Sequence, residues 1–240
     1  MVTLVATALF AARAEAQDGG NGFLFSEPRA TLTLRGGFDH ANANSGLFSF
    51  TTSRLTIDRG DFSSPTIGVD LAIRLNSRLE LAGGVGFSQT TKPSAFRHFE
   101  DNNNLPIEQR TRFQRVPITL SLKAYLLPRG RTIGSFAWIP ARIAPYIGAG
   151  AGVMWYRFDQ RGDFIDSNTL AVFNDNFASS GAAPAAHVMA GFDVSLNPRF
   201  LLTADGRYTY AKATLGSDFA NFDKIDLSGF AVTAGVAVRF

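Results

Sequence analysis

Apolar side chains occupy every second position along most of this chain. In ATLTLRGGFDH, Leu32, Leu34, Gly36 and Phe38 alternate with Thr31, Thr33, Arg35, Gly37 and Asp39. TIGVDLAIRL sets Ile67, Val69, Leu71, Ile73 and Leu75 against Gly68, Asp70, Ala72 and Arg74, and LELAGGVGFS sets Leu79, Leu81, Gly83, Val85 and Phe87 against Glu80, Ala82, Gly84, Gly86 and Ser88. The same rhythm returns in VPITLSLKAYL, APYIGAGAGVMWYRF, AAHVMAGFDVSL, RFLLTADGRYTY and the terminal GFAVTAGVAVRF. Successive strand side chains point to opposite faces, so a period of two predicts strands, and the segments number eight. Pro117 interrupts one of them and predicts a bulge, since proline cannot donate to a ladder.

The connections are unequal. Asn76-Ser77-Arg78 and Asn197-Pro198-Arg199 are tight turns, whereas long polar stretches follow the first, third, fifth and seventh strands, at about 41–65, 91–111, 159–181 and 212–226. Short turns at one end and long loops at the other are the layout of an outer-membrane barrel. The 127–143 connection is longer than the other turns, and its Trp138 with flanking arginines suits an interfacial position.

Alternation alone fits a soluble barrel with an apolar cavity as well as a membrane barrel with an apolar exterior. Bulk and charge separate them. One face carries Leu, Ile, Val and Phe with no charge in the strand centres; the other carries Arg35, Asp70, Arg74, Glu80, Lys123, Asp193, Asp205, Arg207 and Arg239 among many glycines. The large residues would overfill a small lumen, so they face lipid and the charges face inward. Each apolar stretch matches the ~9–11 residues that a tilted strand needs to span. Aromatics near the strand ends form two expected girdles, Phe38, Phe87, Trp155, Tyr156, Phe158, Tyr208 and Tyr210 on the loop side and Tyr146, Phe200 and Phe240 on the turn side.

Composition agrees with strands and turns: 45% apolar, 18% charged, 23 glycines and 22 phenylalanines. A net charge of +3, scattered along the chain, excludes a nucleic-acid surface. The apolar start VTLVATALFAA with Ala14-Glu15-Ala16 reads as an export signal over 1–16, although no basic residue precedes it, and a polar linker follows over 17–28. The absence of cysteine removes disulfides, thiolate metal sites and a lipid-modified cysteine together.

On these residues the chain resembles the small eight-stranded outer-membrane β-barrels of the OmpA-like and OmpW-like superfamily over 29–240. The fold implied is an all-β, antiparallel up-and-down transmembrane barrel in the outer membrane, with lipids and the barrel-assembly machinery as partners. The resemblance also implies that Val236, Val238 and Phe240 form an assembly signal. With no segment after Phe240, a peptidoglycan-binding domain is not expected, and a monomer is.

The inward charges are nearly balanced, with Arg35, Arg74, Lys123, Arg207 and Arg239 against Asp39, Asp70, Glu80, Asp193 and Asp205. A three-residue turn pairs Leu75 with Leu79 and sets Arg74 opposite Glu80. These groups predict an ion-pair network filling the lumen; the lumen glycines, conversely, leave room for a narrow channel for small or apolar solutes. Gly148–Gly152 lacks the helix that a phosphate loop needs, and no cofactor or metal site is expected. Arg59-Gly60-Asp61 and Arg161-Gly162-Asp163 fall in long loops, where a surface ligand could bind but where turn chemistry explains Gly-Asp equally well. A lipid-modifying enzyme would need a histidine, His98 or His187, beside a serine and a carboxylate, and His40 completes the histidines. Three roles stay open: a structural or surface-interaction barrel without catalysis, a channel and a lipid-modifying enzyme.

Overall fold

The computed structural model describes residues 22–100, 104–134, 137–166, 169 and 171–240, the side chain of His98 excepted. The leader expected over 1–16 and the first part of the linker lie outside the described residues. Among them, eight long antiparallel strands close into a ring: β1 (Ala30–Ala41), β2 (Ser64–Arg74), β3 (Leu79–Glu100), β4 (Pro106–Tyr125), β5 (Ile143–Ile165), β6 (Val172–Ser195), β7 (Phe200–Ala213) and β8 (Gly229–Arg239). Each pairs with its sequence neighbours, and β1 closes on β8 from Thr31↔Arg239 to Ala41↔Gly229. Closure leaves no free edge in the ring, which is the condition for a β-structure to sit in lipid.

Side-chain period sets the two surfaces. Leu34, Ile67, Val69, Val85, Leu120, Ile147, Val188 and Val232 are exposed on the outside, while Thr33, Arg35, Asp70, Thr119, Ser121, Asp193, Asp205 and Thr233 are buried inside. Tyr146, Tyr156 and Phe158 obey the same parity. They are buried in the interior and do not belong to the girdles, which are left with Phe38, Phe87, Trp155, Tyr208 and Tyr210 on the loop side and Phe200 and Phe240 on the turn side.

Two of the expected loops are mostly strand. β3 and β4 run 22 and 20 residues, β5 and β6 run 23 and 24, and their ladders continue through Lys92↔Thr111 and Arg161↔Asn176. Polar residues with continuing alternation sustain pairing where water faces the outside, so the ladder does not stop at the apolar boundary. Pro117 makes no bulge: the β3–β4 register is the same on either side, Val85↔Ile118 and Ser88↔Arg115, and only the intervening pairs are missing. Gly86 faces Pro117 and leaves space for its ring.

Candidate functional site: a barrel closed at both ends

The loop end is shut by a segment that has no strand period. Helix α1 (Gly46–Arg54) follows β1, and a 3-10 turn over Arg59–Phe62 leads into β2. The helix contains three threonines and serines in its last four residues and gains its place by docking: Leu47, Phe48 and Thr51 are buried. Phe48 meets Phe62, Phe113 and Phe158 edge to face, at centroid distances of 4.6, 5.3 and 5.9 Å. Around these rings Met154, Tyr156, Phe219, Ile225 and Leu227 complete a core inside the mouth. Edge-to-face rings are a favourable aromatic arrangement.

The turn end is shut by the described parts of the connection between β4 and β5, from Arg129 to Ile133 and from Ala137 to Pro140. Gly130–Ile133 and Ala137–Pro140 pair as a small hairpin, and Trp138 in turn pairs through its backbone with Leu24. Trp138 is buried beneath the Arg239 guanidinium, 5.4 Å from the ring centroid, instead of standing at an interface. Arg129, just before the hairpin, reaches Glu80 with Nη1 at 2.5 Å. Gly130 lies against the indole, so a side chain there would overlap it.

Between the ends, the candidate interior residues make fewer ion pairs than their balance suggests. Arg35 meets Asp70 through Nε and Oδ2 at 2.5 Å, and both are buried. Arg74 stands opposite Glu80 in the register but its side chain pairs with Glu27, at 2.6 Å and partly exposed. Glu80 accepts from Arg129, from Tyr125 Oη at 2.9 Å and from Thr31 Oγ1 at 3.4 Å. Tyr125 Oη also lies 2.8 Å from Asp193 Oδ2. Lys123 sits over the Tyr146 ring at 4.8 Å, Arg207 reaches Met189 Sδ at 3.6 Å, Asp205 accepts from Thr233 at 3.1 Å and Arg239 donates to Ser195 at 3.0 Å. Nearer the mouth, Arg115 binds Asp39 Oδ2 at 2.9 Å and donates to the Leu227 carbonyl at 3.2 Å. The partners have three origins: a neighbouring strand, as for Arg35 with Asp70 or Arg207 with its register partner Met189; a strand further round the ring, as for Arg115 on β4 with Asp39 on β1; and segments outside the strands, as for Arg74 with Glu27 and Glu80 with Arg129.

The interior glycines seat these side chains. A Cβ at Gly84 would overlap Asp70, one at Gly68 would crowd the Arg35 guanidinium, and those at Gly148 and Gly150 would strike Met189 and His187. The space beside these four glycines is therefore occupied by side chains from adjacent strands.

His187 is buried and its Nε2 lies 2.9 Å from Ser121 Oγ, a pairing that the sequence could not establish. Its Nδ1 has no hydrogen-bond partner among the described residues, so no carboxylate orients the ring. His40 Nδ1 lies 3.0 Å from Ser63 Oγ at the loop side. His98 has its side chain outside the described residues. No group of three His, Asp or Glu suited to a metal occurs among the described residues.

The residues that sequence reasoning missed have different signals. Tyr125, Arg115 and Ser121 share the inward parity and could have been included by counting. Arg129 and Phe48, and the inward direction of Trp138, belong to segments without a period, where nothing local states which way a side chain points.

Val236 and Phe240 are exposed on the outer face, and the Phe240 backbone is held to β1 by its N–H to the Ala30 carbonyl at 3.0 Å. Among solved structures, the chain is similar to Neisserial surface protein A (14% identity, 88% of this chain and 96% of that one, TM-score 0.47). It is similar also to Ail of Yersinia pestis (13%, 88% and 99%, 0.42) and to a major outer membrane protein of Thermus thermophilus (11%, 88% and 99%, 0.46). No curated protein matches it in sequence. The model of the outer membrane protein beta-barrel domain matches residues 2–240. With that match across the ring, the chain belongs to the outer membrane protein beta-barrel domain family, and its belt of outward aliphatic side chains resides in the outer membrane.

Proposed function

We propose that this barrel has a structural or surface-interaction role and does not conduct solutes. The observation that carries the reading is closure at both ends, by the Phe48 cluster at the mouth and by Trp138, Arg129 and Glu80 at the turns. A solute path would have to displace a buried ion pair at one end and a packed aromatic core at the other. The seating of interior side chains against Gly68, Gly84, Gly148 and Gly150 supports the same reading. A non-catalytic role is favoured because Ser121 and His187 are walled inside the ring, away from any lipid. The extended β3–β6 sheet beyond the girdle supplies the surface that a partner would meet.

Planar-bilayer recording of the refolded protein tests this. The expected record is flat, or broken by rare small steps. Large stable openings that change on Glu80→Gln or Asp70→Asn would establish a channel instead.

A further inference from the structure

Beyond the girdle, the outward face of β4 and β5 turns from aliphatic to basic within one or two alternations. On β5 the outward series is Val153, Trp155, Arg157, Asp159 and Arg161; on β4 it is Ile118, Val116, Gln114, Arg112 and Arg110. The register sets Arg112 opposite Asp159 and Arg110 directly opposite Arg161. One carboxylate oxygen serves two of the four guanidinia: Asp159 Oδ1 accepts from Arg112 Nη2 at 2.7 Å and from Arg157 Nε at 3.0 Å. Arg110 and Arg161 are exposed, and neither has a hydrogen-bonding or ionic partner for its side chain among the described residues. Glu108 and Asp163 lie one alternation further out; Asp163 accepts from Asn174 at 2.8 Å, and neither acid forms an ion pair with these arginines.

Like charges placed directly opposite on a sheet face destabilise it. The arrangement becomes favourable when an anion bridges the two guanidinia, because each offers a planar fork of donors that matches phosphate oxygens. Height selects the anion. The four arginines stand two to six residues past Trp155, roughly 7–20 Å along a strand, and the surface below them is the belt that meets acyl chains.

We propose that this outer face of β4 and β5 binds the phosphorylated head groups of outer-leaflet lipids. Arg110 and Arg161 hold one phosphate between them, Arg112 and Arg157 flank it on the membrane side, and the acyl chains of the same lipid lie against Ile118, Val153 and Trp155. Charge complementarity and continuity with the lipid-contacting belt both favour a lipid over a soluble anion.

Full-length protein folded in detergent micelles, its fold checked by unheated gel mobility, would be mixed with diphosphoryl lipid A, with the same lipid stripped of its phosphates and with inorganic phosphate. Bound lipid is then counted by native mass spectrometry. The expected result is retention of the phosphorylated lipid over the stripped one, weakened about tenfold in the double variant R110Q/R161Q and unchanged in R131Q at the opposite end. Retention should also fall as salt rises. Equal retention of the two lipids by the parent protein, or equal retention by a folded double variant, would overturn the proposal. So would displacement of the lipid by equimolar inorganic phosphate, which would mark a site for the free ion. The comparison of lipids on the parent protein decides the matter even if the double variant does not fold.

Discussion

Replacing Glu80 by Gln keeps the side chain's size and removes one charge from the turn end of the lumen. The carboxylate is 2% exposed and receives Arg129, Tyr125 and Thr31, and Arg129 is itself 6% exposed. The variant therefore leaves a guanidinium inside without its counter-charge. Breaking a buried pair in this way costs about 3–5 kcal/mol, and since the Gln oxygen still accepts one hydrogen bond, about 3 kcal/mol is expected here. Arg74→Gln is the contrast, because its pair with Glu27 is partly exposed, at 21% and 28%, and solvent screening holds its contribution under about 1 kcal/mol. Urea unfolding of the refolded protein in lipid vesicles, followed by tryptophan fluorescence, measures both. The double variant E80Q/R129Q should recover a large part of the loss, since the unpaired charge is gone. Equal costs for E80Q and R74Q would refute Arg129 as the partner and restore the pairing that the strand register alone suggests.

Phe48→Ala should cost about 3–5 kcal/mol of docking energy at the mouth, seen as faster amide exchange across Gly46–Arg54 with the gel mobility of the barrel preserved; unchanged exchange would show that the helix is held by something other than its aromatic contacts. Asp61 is held below the ordinary carboxylate range, first by the Asp58 backbone N–H and then by Lys92, against an opposing effect of burial. Its folded pKa is thus depressed, so its contribution is complete above about pH 4 and is lost as pH falls through the lowered value; the protection of the Arg59–Phe62 amides, measured against their intrinsic exchange rates at each pH, should fall on acidification, and Asp61→Asn should abolish that dependence. For the proposed assembly signal of Val236, Val238 and Phe240, Phe240→Ala should cost about 1–3 kcal/mol of lipid-facing burial at most yet lower the yield of membrane-inserted protein in cells more than that cost explains. Equal yields in a cellular insertion assay would remove the signalling role.

Period two is a local property, and it was legible from particular residues. The alternation of Leu32, Leu34 and Phe38 with Thr33, Arg35 and Asp39 assigns lipid and lumen faces without reference to any other strand, because a single residue step reverses a side chain's direction. Tyr146, Tyr156 and Phe158 show how strong that constraint is: nearness to strand ends suggests a girdle, parity puts them inside, and the structure follows parity. Partner choice was not legible in the same way. Arg74 and Glu80 face each other across a tight turn, yet one pairs with Glu27 and the other with Arg129, since both partners arrive on segments that have no period of their own. The two closures have the same origin. Strand number, face and turn positions follow from alternation along the chain, whereas the folding back of 42–63 and of Arg129 and Trp138 into the ring's mouths depends on contacts between residues far apart in sequence, which only ring closure brings within reach.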